Sequence, residues 1–185
     1  MTTATESPTA TAVSLRNLYF VRFGFAIVWA VLLFAVGKTL GPVAIGLLVL
    51  YPLFDVAAAV VDFRSSKTAR PTVGLYLNMA LSLLTAIGLA VAVTSGIPAV
   101  LRVWGVWAIT AGIVQLVVAV RRYRLGGQWA MILSGGISVF AGSGFFLMAG
   151  GPNAMLTSLA GYATLGGIFF LASALRLNRV AKKDS

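Results

Sequence analysis

The sequence predicts an all-α fold, an integral membrane bundle of six transmembrane helices set out as three pseudo-repeated helical hairpins. Three observations carry this. The 185-residue chain is 59% hydrophobic and 10% charged, where an average soluble domain carries about 25% charged residues. A soluble fold of this size could not hide so much apolar surface, so the bilayer must act as solvent. Six apolar runs each approach the ~20 residues that a ~30 Å hydrocarbon core requires. Finally, Pro42, Pro98 and Pro152 recur at spacings of 56 and 54 residues, each at the head of an apolar run.

Residues 1–15 are polar, rich in Ser, Thr and Ala, and lack an apolar face, so a disordered tail is expected there. The first span covers 18–36. It is longer than a signal-peptide core and has Glu6 upstream, so it reads as a retained helix. The remaining spans fall at 43–61, 73–93, 99–120, 129–149 and 154–175. Breaks are expected at 37–41, 62–72, 95–97, 121–128 and 150–151, where Gly, Pro and charge cluster. The membrane domain is thus 16–177, with hairpins at about 18–64, 73–122 and 129–176, and 178–185 forms a basic tail. Proline fits the first turn of each second helix because the N–H it lacks has no partner there. No internal proline is expected to break a span.

Net charge is +10, yet its placement argues for a lipid bilayer with anionic headgroups as partner, and against nucleic acid. Arg16, Arg22, Arg64, Lys67, Arg70, Arg121, Arg122, Arg124, Arg176, Arg179, Lys182 and Lys183 fall on one side, and only Lys38 and Arg102 on the other. The bias places both termini in the cytoplasm. Arg64, Lys67, Arg70, Arg121, Arg122, Arg124, Lys182 and Lys183 are assigned to headgroups and topology. Arg102 reads as a snorkelling side chain. Trp104, Trp107 and Trp129 read as interfacial anchors, with Trp29 deeper. Whether copies associate is left open.

The sequence contains no cysteine, no histidine and four acidic residues, Glu6, Asp55, Asp62 and Asp184. It therefore offers no thiolate nucleophile, imidazole base or usual zinc site. No catalytic residue, metal site or cofactor is expected, and an enzyme is the weakest of the function classes.

Internal similarity supports a triplicated unit. A 56-residue offset superposes Gly24, Ala80 and Gly136, then Ala26, Ser82 and Ser138, then Ala30, Ala86 and Gly142. Tyr51, Trp107 and Tyr162 align in the second helices, and Arg64, Arg121 and Arg176 close the hairpins. The small positions read as helix contact faces, with Gly135, Gly136, Gly142, Gly144, Gly166 and Gly167 making the third hairpin especially small-faced; a backbone-lined pathway is the alternative. A small-residue first helix followed by a proline-opened second helix with Gly-Val-Trp-Ala-Ile-Thr-Ala-Gly-Ile at 105–113 resembles the HdeD-like acid-resistance membrane proteins. Gly-Tyr-Ala-Thr-Leu-Gly-Gly-Ile at 161–168, Arg22 before Gly24, and Asp55 also fit that pattern, and Val56 departs from it. The resemblance spans about 18–177. It implies a six-span protein of a bacterial inner membrane, linked to acid or envelope stress, with no agreed catalytic residues.

Asp55 is the most informative single residue. Seven residues before Asp62, it lies about 10 Å inside the boundary at ~1.5 Å per residue. An unpaired carboxylate at mid-membrane costs roughly 2.5–3.5 kcal/mol on insertion scales. Arg22 has a similar depth in the neighbouring span, so an Arg22–Asp55 ion pair is expected. Asn78 and Gln115 fall in the same layer, giving a polar cluster of Arg22, Asp55, Asn78 and Gln115. Two readings stand: a staple that fixes hairpin register, or a proton- or solute-responsive site. The leading function is a non-enzymatic, stress-associated membrane protein; the alternative is a small transporter or channel using this layer.

Overall fold

The computed structural model describes residues 8–65, 73–121 and 129–181. Lys67, Arg70, Arg122, Arg124, Lys182 and Lys183 lie outside the described residues, as do the side chain of Arg121 and residues 1–7 of the N-terminal tail. Six α-helices follow in order: α1 (Pro8–Val36), α2 (Pro42–Ser65), α3 (Val73–Ala92), α4 (Ile97–Arg121), α5 (Trp129–Gly150) and α6 (Thr157–Ala181). A 3₁₀ turn, Val93–Ser95, finishes α3, and there is no strand among the described residues. All six helices are long and apolar enough to cross a membrane. Their outer faces carry exposed Val28, Phe34, Leu84, Val91, Phe140 and Leu147, a surface that water would not tolerate and that lipid tails solvate well. The chain is a multi-pass membrane protein.

Some boundaries differ from expectation. Helix α1 begins at Pro8 rather than after residue 15, and α6 runs on to Ala181. Alanines at 10, 12 and 181 favour the extensions. Pro42 is the first residue of α2 and Pro98 the second of α4, but Pro152 opens nothing. It sits in a turn that ends at Leu156, where Pro-Asn chemistry at 152–153 favours a reversal. Fully buried Leu156 anchors that turn beside Gly37. At the α3–α4 corner, Gly96 has φ +87°, a conformation that side chains beyond glycine strain to adopt.

As expected, no internal proline breaks a described span, although one is present. Pro52 lies inside α2, fully buried, and the helix continues through it. A proline cannot donate to the carbonyl four residues back, here Leu48, and its ring crowds that carbonyl. Beside this weakened turn, Trp29 Nε1 donates to the Leu47 carbonyl at 2.6 Å. Neighbouring polar side chains stabilise a membrane helix at such a point.

The helices form a ring in which each packs on its sequence neighbours and α6 returns to α1. The most extensive interfaces are α4 on α5 and α1 on α6, whereas α5 and α6 touch lightly. The small residues therefore work mainly between hairpins. A Cβ on Gly105 would lie 2.8 Å from the Gly142 carbonyl, and one on Gly112 would lie 2.7 Å from the Gly135 carbonyl. Gly167 faces Ala26 of α1. Gly136, Gly144 and Gly166 meet nothing within 4 Å, so these three do not form helix contacts.

The ring is plugged on one side by aromatics. Trp29 stacks on Trp104 at 5.4 Å, Tyr51 meets both, and Trp107 packs edge-on to Trp104 at 5.3 Å. Trp104 is fully buried and Trp107 nearly so. These two are core residues rather than interfacial anchors: the ring has a wide centre, and large rings fill it. Trp129 is exposed at the start of α5, and Arg102, Lys38 and Arg64 are exposed near helix ends.

Candidate functional site

Asp55 lies on α2 one turn after Pro52, 8% exposed. Its carboxylate gathers donors from two other helices. Arg22 of α1 donates to Oδ1 and forms the ion pair. Asn78 Nδ2 and Ser82 Oγ of α3 donate to Oδ2 at 2.7 and 2.8 Å. Trp107 Nε1 of α4 then donates to Ser82 Oγ at 3.2 Å. One carboxylate thus ties α1, α2 and α3 together, and a relay through Ser82 adds α4.

The rest of the site is built around the guanidinium of Arg22. It lies over the Phe170 ring of α6, 4.4 Å from the centroid, a cation–π contact that partly replaces lost hydration. Phe25 and Phe54 stack at 3.7 Å between α1 and α2. On the far wall, Tyr162 of α6 donates to Ser138 Oγ of α5 at 3.1 Å.

These groups surround a cavity of about 140 Å³. Arg22, Asp55, Asn78, Gln115, Ser134 and Tyr162 line it, so all six helices contribute. The tryptophan cluster lies on the side away from the termini. Arg22, Asp55 and Asn78 are joined directly, and Gln115 lines the same cavity. A further polar link, in which Arg16 Nη1 donates to Asn178 Oδ1 at 3.0 Å, joins α1 to α6 near the chain ends. No family model, characterised protein or solved structure matches the chain.

Sequence reasoning missed Ser82, Trp107, Ser138 and Tyr162 as polar partners, and Ser134 as a residue lining the cavity. The signal was helical spacing. Ser82 follows Asn78 by four residues, and Ser138 follows Ser134 by four, so each pair shares a helix face. The repeat register also pairs Ser82 with Ser138 and Trp107 with Tyr162. The structure contains the corresponding bonds, Trp107 to Ser82 and Tyr162 to Ser138. The first hairpin has Tyr51 but Ala26, which offers no acceptor hydroxyl.

Proposed function

We propose that this is a non-enzymatic protein of a bacterial inner membrane, associated with acid or envelope stress, in which Asp55 is the point where acid acts. The observation that carries the reading is the three-donor hub on Asp55. When a proton neutralises that carboxylate, Arg22 loses its counter-charge inside the bundle, and Asn78 and Ser82 keep only a weaker, neutral acceptor. Helices α1 and α3 are then held less firmly to α2. This is a local charge change with a packing readout.

The groups that face Asp55 are Arg22 from α1, the non-titrating Asn78 and Ser82 from α3, and, nearby, Tyr51 on its own helix and Tyr162 on α6. The two tyrosines are neutral in acid, so the carboxylate and the guanidinium dominate the response. The resemblance to HdeD-like proteins supports the stress association, and the Lys and Arg bias supports cytoplasmic termini. The paired serine bonds, with looser contacts inside hairpins and mostly tighter ones between them, support three repeated hairpins around a pseudo-threefold axis.

The test is acid survival of a strain lacking the protein, complemented at matched membrane levels. Wild type restores survival and Asp55→Asn does not. Equal rescue by both would reduce the hub to a structural staple, and no rescue by wild type in an acid-sensitive deletion would remove the stress role. A second reading, a conduit for a small solute, is favoured by the polar cavity that all six helices line.

A further inference from the structure

The cavity has a donor-rich wall that the ion pair does not use. Both Asp55 oxygens are occupied by donors. Arg22 carries five N–H groups in a planar fork, and one of its terminal nitrogens serves Asp55. The Ser138 oxygen accepts from Tyr162, which leaves its own O–H to donate. Ser134 lines the cavity and makes no hydrogen bond among the described residues. By contrast, the hydroxyls of Thr85, Thr110, Ser143 and Thr164 bond back to the carbonyl four residues earlier.

We propose that the cavity is a proton-coupled binding site for a small monovalent anion, with Arg22 as its charged ligand and Asp55 as the internal competitor. This rests on the reading of Asp55 as the acid-responsive hub. With Asp55 ionised, the guanidinium already has a carboxylate partner, and a second anion beside Asp55 is repelled. A proton arriving from solvent on Asp55 Oδ1 places an O–H against the guanidinium. Arg22 then turns toward the cavity, and an anion replaces the lost counter-charge. Oδ2 keeps its bonds from Asn78 and Ser82, so the hub residue stays in place. The O–H groups of Ser134 and Ser138 point the anion's remaining acceptors to α5. The charge balance closes, because one proton and one anion enter together and the site stays neutral. A volume of about 140 Å³ admits such an ion with a few waters, each of which takes ~30 Å³ in the liquid. The walls from Phe25, Phe54, Tyr51, Trp107 and Phe170 favour a weakly hydrated, planar anion that lies flat along the fork.

The experiment uses nitrate, which is planar and stays charged in acid. Full-length protein in nanodiscs of uncharged lipid is titrated with nitrate by calorimetry across a pH series. Two buffers of different ionisation heat count the protons. The expected result is about one proton taken up per nitrate, with affinity rising by up to about tenfold for each unit fall in pH, the limit for one coupled proton. Asp55→Asn binds nitrate at neutral pH with no proton uptake, and the charge-balanced double variant Arg22→Gln with Asp55→Asn does not bind. Nitrate binding without proton uptake, or no binding at any pH, overturns the proposal. The wild-type proton count decides this even where a variant fails to fold. Tryptophan fluorescence of the same samples without nitrate reports the acid response of the hub by itself. A fluorescence change in acid without coupled nitrate binding removes the anion site and leaves the hub standing; silence in both removes the two together.

Discussion

At the residue scale, Asp55 sets the cost of every change around it. A charge left alone inside the bundle is far more costly than a pair removed together. Arg22→Gln or Asp55→Asn alone is expected to lower stability by about 3–5 kcal/mol, the usual cost of breaking a buried pair. The double variant is expected to lose clearly less than the two single losses combined. Equilibrium unfolding in mixed micelles measures this, and additive losses would show that the two side chains act separately. Ser82→Ala removes a donor to a carboxylate and the acceptor of Trp107 at once. It is expected to cost about 1.5–3 kcal/mol, against about 0.5–1.5 for Ser138→Ala, which loses one neutral bond. The same unfolding assay ranks the two. Asp55, Arg22 and Asn78 were legible in the sequence because a polar side chain in an apolar span is conspicuous. Ser82 was not, because serine is also a small packing residue, and its position between Asp55 and Trp107 depends on how α3 is rotated.

At the scale of the element, glycines divide into those that let helices meet and those that do not. A methyl group on Gly142 would sit 2.7 Å from the Gly105 carbonyl and 3.0 Å from the Ile109 backbone nitrogen. Neither atom can give way without moving α4. Gly142→Ala is therefore expected to destabilise by about 1–3 kcal/mol, the range for overpacking. Gly136→Ala meets open space and is expected to be neutral or to gain up to about 1 kcal/mol from helix propensity. Thermal unfolding of the purified variants tests the pair; equal effects would contradict the assigned α4–α5 interface. The sequence marks both glycines alike, because a small-residue pattern does not say which neighbour it faces. Pro52 shows the same limit. Its helix-breaking chemistry is plain in the sequence, but its tolerance depends on the packing around α2 and on Trp29 from α1.

At the scale of the whole molecule, the six spans were readable because each is a long apolar run, and their order around the ring was not. Hairpin logic expects α5 against α6, whereas α6 spends its interface on α1 and closes the ring. That closure has a direct test. The protein has no cysteine, and a Cβ on Gly167 would lie 3.3 Å from the Cβ of Ala26, near the ~3.5–4.5 Å that a disulfide spans. Ala26→Cys with Gly167→Cys is expected to cross-link within one chain under mild oxidation, seen as a mobility shift that reductant reverses. Absence of the cross-link in folded protein would contradict the α1–α6 contact. The centre of the ring was also misread from sequence. Trp104 and Trp107 follow Arg102 closely and look like boundary residues until the neighbouring helices supply Trp29 and Tyr51 to pack against.

Protonation of Asp55 is proposed to loosen the bundle. Infrared difference spectroscopy of the protein in lipid, stepped from neutral to acidic buffer, tests it most directly, because the chain has only four acidic side chains. The expected result is a protonated-carboxyl band that is missing in Asp55→Asn and that rises together with faster amide hydrogen exchange in α1 and α3. A band unchanged by Asp55→Asn, or an Asp55 band without any change in exchange, would contradict it.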